Sequence, residues 1–158
     1  MHRAYLMAGA EVIETNTFGA NRFKLRGFGF SDQLAEINRR GAELAREAAG
    51  DRGWVAGSIG PLNRSLSFSP KVEDASFRAV TFDEVKKAYA EQVRGLIEGG
   101  VDILLPETAF DTLNMKACLV ALEEVFQEMG KRLPVMLSVT IVDKSGRTLS
   151  GQTVEAFW

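Results

Sequence analysis

Cysteine is nearly missing from this chain: Cys118 stands alone among 158 residues, so no internal disulfide forms and no CxxC pair offers a structural zinc site. Histidine is as scarce. His2 has no partner at metal-ligand spacing. Neither sign of charge dominates, with 19 Lys and Arg against 21 Asp and Glu and a formal net charge of -2. No basic surface therefore calls for nucleic acid, and no acidic run suggests a disordered tail. Apolar stretches are broken by charges well before the roughly 18 residues of a membrane span, and Met1 to Leu6 has no apolar core of secretory length. With so little cysteine, the expected compartment is the cytoplasm. No GxGxxG or GxxxxGK[ST] follows any strand-like run, which argues against a self-contained Rossmann-type or flavodoxin-like domain.

What is present is 46% hydrophobic residues in a length suited to one core or part of one. Four short apolar runs, rich in β-branched residues, read as buried strands: Val12 to Phe18, Trp54 to Ile59, Val101 to Leu105, and Val135 to Ile141. They recur roughly every 40 residues with helical periodicity between them, the alternation of parallel βα units. The class is α/β. Leu34, Ile37, Gly41, Leu44, Ala45 and Ala48 mark the apolar face of the first long helix. Thr81 and Glu84 form a capping box for the second, with Val85, Tyr89, Val93, Leu96 and Ile97 as its stripe and Gly99-Gly100 as its end. The third opens near Asp111 or Thr112, buries Cys118, Leu122, Val125 and Met129, and stops at Gly130.

Asn63 to Val80 lacks a period and reads as a long βα loop, the kind that covers an active site. Phe23, Phe28 and Phe30 around Gly27 and Gly29 read as local packing in a loop. Asp143 to Thr148 reads as a turn or small hairpin. Tyr5 to Ala10 resembles the tail of a helix whose preceding strand is absent, and Thr153 to Trp158 the first turn of an unfinished one. The chain is thus expected to begin and stop inside a repeating pattern. A closed (β/α)8 barrel takes about 250 residues, so four strands make about half of one.

The runs AGAEVIETNTFGA (Ala8 to Ala20), AGSIGP (Ala56 to Pro61) and EGGVDILLPETAFDTLN (Glu98 to Asn114) resemble, in order, the second, third and fourth strand motifs of the homocysteine S-methyltransferase family. SGRTLSGQT (Ser145 to Thr153) is close to the form of its cobalamin-dependent methionine synthase branch. The resemblance implies an incomplete (β/α)8 TIM barrel, about strands 2 to 5, with homocysteine held at the C-terminal strand ends. It also implies zinc held by three cysteines near the sixth and eighth strands, which this sequence does not contain, and methylcobalamin on a separate domain as methyl donor. Zinc would convert the acceptor thiol, whose free pKa is about 8.5, to thiolate. Cys118, mid-helix, reads as a small buried apolar residue and replaces none of those ligands.

Amino acid recognition is what these strands can supply, from polar residues at their C-terminal ends. The resemblance gives Glu107 the amino group of homocysteine, a charge-assisted contact; the competing reading is a helix cap or a partner for an arginine. Asn16 and Thr17 end the first strand where they face the barrel mouth or make a plain turn. Gly57, Ser58 and Gly60 admit a close backbone approach or make a bare turn. Asp111 orients substrate or caps its helix. Ser138 and Thr140 share one face of the fourth strand, from which one of them is a further candidate to line the pocket. The expected partners are homocysteine and either a cobalamin-binding domain or the remaining barrel half, with self-association through open sheet edges. The rival reading is a non-catalytic truncated module or relic that pairs with another chain.

Overall fold

The computed structural model describes residues 1–157, so the part of the last expected helical turn that falls on Trp158 lies outside the described residues. Chain order runs α1 (His2–Met7), β1 (Val12–Glu14), α2 (Arg22–Arg26), a 3-10 turn at Ser31–Gln33, α3 (Leu34–Ala49), β2 (Trp54–Ile59), α4 (Phe82–Glu98), β3 (Ile103–Pro106), α5 (Thr112–Met129) and α6 (Val154–Phe157). The three strands pair in sequence order, all parallel, with Glu14 opposite Ala56 and Ser58 opposite Leu105. Helix α3 packs on α4 and α4 on α5, so the crossover helices share one side of the sheet.

Sequence chemistry explains the helix limits. Thr81 and Glu84 close the capping box of α4, satisfying free N–H groups at its start. Asp111 caps α5, and Gly130 ends it in the left-handed conformation at φ 61°. The core lies between helices and sheet: Val55, Ile59 and Leu104 meet Val85, Val93 and Leu96 of α4 and Cys118, Leu122 and Val125 of α5. Helix α3 is turned slightly from the face its spacing predicts. Leu34, Asn38, Ala42, Ala45 and Ala49 are buried, whereas Leu44 is exposed. The reason lies in α4: a Cβ on Gly99 would sit 2.4 Å from the Arg39 carbonyl and 2.5 Å from Ala42. At such a close crossing only small residues fit. At the opposite end from the site, the Arg46 guanidinium of α3 pairs with Asp102, which also accepts from Val55 N at 2.8 Å.

Two strand expectations need correction. The first strand ends at Glu14 rather than Phe18. The fourth, Val135 to Ile141, is not a continuous strand: it runs beside β3 and its loop through isolated bridges at Leu104–Val135 and Ala109–Val139, with the Ser138 N–H donating to the Pro106 carbonyl between them. Regular pairing is interrupted because Pro106 has no N–H to give the Met136 carbonyl, and the register then shifts by one residue across Thr108, whose φ of 59° is a left-handed conformation costly for a β-branched residue. Val135, Met136, Leu137 and Ile141 of this segment are exposed. Asn63 to Val80 is irregular as expected, and Asp143 to Gly146 turns back so that Arg147 bridges Thr153 antiparallel. Helix α2 occupies part of the region read as a loop, capped by Asn21.

Candidate functional site

The C-terminal ends of the strands gather the polar residues. Glu107 directly follows β3, its N–H donating to the Ile59 carbonyl at 3.0 Å. The Ser58 hydroxyl, on the neighbouring strand, donates to the Glu107 carboxylate. Ser58 is 1% exposed whereas Glu107 is half-buried, so one side of the carboxylate is held and the other stays accessible. The strained Thr108 comes next. Backbone held in such a conformation tends to mark functional positions, because the surrounding structure must maintain it.

Glu14 is a residue that the sequence reading passed over. Burial first, and then the charge of Glu107, raise its carboxyl above the ordinary value. The two carboxylates therefore feel each other across β2. Glu14 and Asn16 also line an open groove of about 410 Å3 beside β1, with Tyr5 and Val12. That volume admits an amino acid. By contrast the crevice behind the strand ends, lined by Tyr89, Glu107, Asp111 and Cys118, has about 10 Å3, at most one water. Strand alternation could have found Glu14, because it shares a face with Asn16 two residues on.

Asn16 and Thr17, being adjacent, do not share a face. Asn16 is exposed, while Thr17 is 1% exposed with its hydroxyl donating to the Ser58 carbonyl at 2.7 Å. Gly57 gives up its side chain to protein rather than to open space: a Cβ there would lie 3.2 Å from both Leu96 and Val101. Gly60 likewise lies under Phe18, whose carbonyl would be 2.4 Å from an added Cβ.

Asp111 accepts from Leu113 N at 3.0 Å and Asn114 N at 3.2 Å, and also from the hydroxyls of Ser65 and Ser67. Its burial would raise the carboxyl, but the Ser65, Ser67 and backbone hydrogen bonds outweigh it and hold the pKa below the ordinary value. Asp111 thus anchors the long loop to α5. Thr140 donates its N–H to the Ala109 carbonyl at 2.9 Å, and Ser138 its own to Pro106 at 3.0 Å, so both follow the edge of β3. Their segment is largely exposed.

Across its length, residues 1–158, the chain matches the family model for homocysteine S-methyltransferase. The chain belongs to the homocysteine S-methyltransferase family. Among solved structures it is similar to the homocysteine methyltransferase MmuM from Escherichia coli. The metallated form gives a TM-score of 0.74 at 23% identity, covering 99% of this chain and 55% of that one. The oxidized form gives 0.72 at 23% identity, with 97% and 53% covered, and the apo form 0.64 at 23% identity, with 97% and 52% covered. At that identity the likeness speaks for the fold. The chain spans about half the length of these structures.

The residues of this member do not fit the zinc that the family resemblance implies. Among the described residues no three His, Cys, Asp or Glu side chains gather around one point. Cys118 is fully buried in α5, and burial pushes its thiol pKa far up, away from the thiolate a metal requires. No helix of the described residues is long and apolar enough to cross a membrane.

Proposed function

We propose that this chain provides the amino-acid-recognising sector of a homocysteine S-methyltransferase (β/α)8 barrel. Sequential parallel strands with all crossover helices on one side support a barrel sector, because a doubly wound sheet places helices on both faces. The observation that carries the functional reading is the Ser58-held Glu107 carboxylate at the end of β3. In this reading Glu107 accepts the ammonium group of homocysteine, and Glu14 adds negative potential from the same face. Asn16 hydrogen-bonds the substrate from the groove beside β1, while Gly57 and Ser58 shape the floor. Asp111 keeps the covering loop in place, and Thr140 borders the pocket from the far side.

The described residues supply binding and orientation. Thiol activation by zinc and methyl transfer from methylcobalamin belong to parts of the enzyme outside them, the first to the remaining barrel half and the second to a separate cobalamin-binding domain. The second reading, a non-catalytic module that pairs with another chain, is favoured by one observation: the edge of β1 away from β2 has no strand partner among the described residues. Metal analysis of the purified chain, together with homocysteine titration with and without added zinc, tests the two. Binding that needs no zinc and is lost in Glu107→Gln supports the recognition sector. Stoichiometric zinc would mean that ligands gather in a way the described residues do not show, and absence of binding under both conditions would favour the non-catalytic module.

A further inference from the structure

Beyond Glu14, strand β1 leaves the ladder, yet Ser58 on β2 keeps both of its backbone partners. In a continuing parallel ladder the Ser58 N–H would reach the Thr15 carbonyl, and the Ser58 carbonyl would accept from the Thr17 N–H. Here the hydroxyls of those same two threonines take over. Ser58 N donates to Thr15 Oγ1 at 3.0 Å, and Thr17 Oγ1 donates to the Ser58 carbonyl at 2.7 Å. The two hydroxyl oxygens are 2.6 Å apart. Each hydroxyl has one proton. Thr17 has committed its own to Ser58, so Thr15 must donate to Thr17. The result is a closed, one-directional ring from the Ser58 N–H through Thr15 and Thr17 to the Ser58 carbonyl, and aligned bonds of this kind strengthen one another in a buried setting.

The ring is itself held from behind. Gln92 of α4 donates Nε2 to the Thr17 carbonyl at 2.9 Å, and the Thr17 methyl lies where a Cβ on Gly41 of α3 would be 2.7 Å away. Thr15, Thr17, Ser58 and Gln92 are all at most 4% exposed. The output of the ring is on the other side: with its main chain clamped, the Ser58 Cβ is held in place, and its hydroxyl donates to Glu107.

We infer that Thr15 and Thr17 are positioning residues that fix the Ser58 hydroxyl and, through it, the Glu107 carboxylate that meets substrate. The inference rests on the functional reading above for the word substrate, and on geometry alone for the rest.

The test separates shape from hydroxyl. Thr15→Val and Thr17→Val keep the branched shape and delete the ring, while Thr15→Ser and Thr17→Ser keep the hydroxyl. In the ligand-free chain, three-bond NMR couplings report the χ1 rotamers of Ser58 and Glu107. One rotamer each is expected in wild type and in the serine variants, and averaging in the valine variants. The Ser58 amide should also exchange with solvent about 10-fold faster in Thr15→Val, reflecting an unsatisfied buried donor. Homocysteine affinity should fall about 10-fold in the valine variants and recover in the serine ones. Unchanged rotamers in a folded valine variant overturn the inference, as does averaging with undiminished affinity. If a valine variant does not fold, the wild-type chain decides: Thr15 and Thr17 hydroxyl protons in slow exchange with water support the ring, and rapid exchange overturns it. A wild-type chain that binds no homocysteine defeats the functional reading alone, since the rotamers still decide the positioning.

Discussion

The two faces of the sheet follow different rules. On the helix-covered face Val55, Ile59 and Leu104 are at most 1% exposed and pack against apolar side chains of α4 and α5. On the other face Val12 is 46% and Trp54 59% exposed, Glu14 and Asn16 are open, and Glu107 is reachable. The first face holds the chain together, since burial of each such side chain contributes about 1.5–3 kcal/mol. The second keeps two carboxylates near enough that the charge of Glu107 helps raise the Glu14 carboxyl, with no cation among their hydrogen-bond partners in the described residues, an arrangement that a cationic ligand would relieve. On the proposed reading, stability and recognition are divided between faces, and the Thr15–Thr17–Ser58 ring connects them.

Substitutions can break that division in order of expected size. Leu104→Ala, on the covered face, should lose about 3–5 kcal/mol in chemical unfolding through the cavity it leaves. Asp111→Ala removes a helix cap and the anchor of the long loop together, and should cost about 2–3 kcal/mol. Because the folded carboxyl of Asp111 titrates below its ordinary 3.8, its contribution is present above that value and is lost as pH falls through the depressed folded pKa. Acid unfolding of wild type against Asp111→Asn reads this directly, the variant showing a shallower acid limb.

On the open face, Glu107→Gln should weaken homocysteine binding about 10-fold while costing less than about 1 kcal/mol of stability. The smallest effect belongs to Glu14→Gln, within about 0.5 kcal/mol. Its sign is specific. The folded carboxyl titrates above its ordinary value, so the protonated form favours folding, and that contribution is lost as pH rises through the folded pKa. The glutamine variant should therefore show less loss of stability as pH rises above 4.5 than wild type does, measured by thermal melting across that range.

Helices were the legible part of this sequence. Capping chemistry at Thr81, Asp111 and Gly130 is local, and local chemistry shows in a linear string. The strand ends were less legible. Thr15 to Phe18 has the composition of a strand, and only the exchange of backbone partners for threonine hydroxyls, which depends on where Ser58 lies, ends it at Glu14. The Val135 to Ile141 run failed as a continuous strand for an equally distant reason, Pro106 without an N–H and the left-handed Thr108 on its neighbour. Among the candidates, Glu107 was visible through the family motif and Glu14 only through its alternation with Asn16, while the nearness of the two required the register of β1 on β2 and of β2 on β3. Glycines were hard to read from the string: at Gly57 and Gly60 the place of the missing Cβ is taken by Leu96, Val101 and Phe18.

The central claim is that Glu107 is the ammonium acceptor of a recognition face, and calorimetric titration of homocysteine into the wild-type chain and its Glu107→Gln variant tests it most directly. The account predicts binding by wild type, about a 10-fold loss in the variant, and no loss for a des-amino analogue of homocysteine on going from one to the other. Equal affinity of both proteins for homocysteine would contradict it.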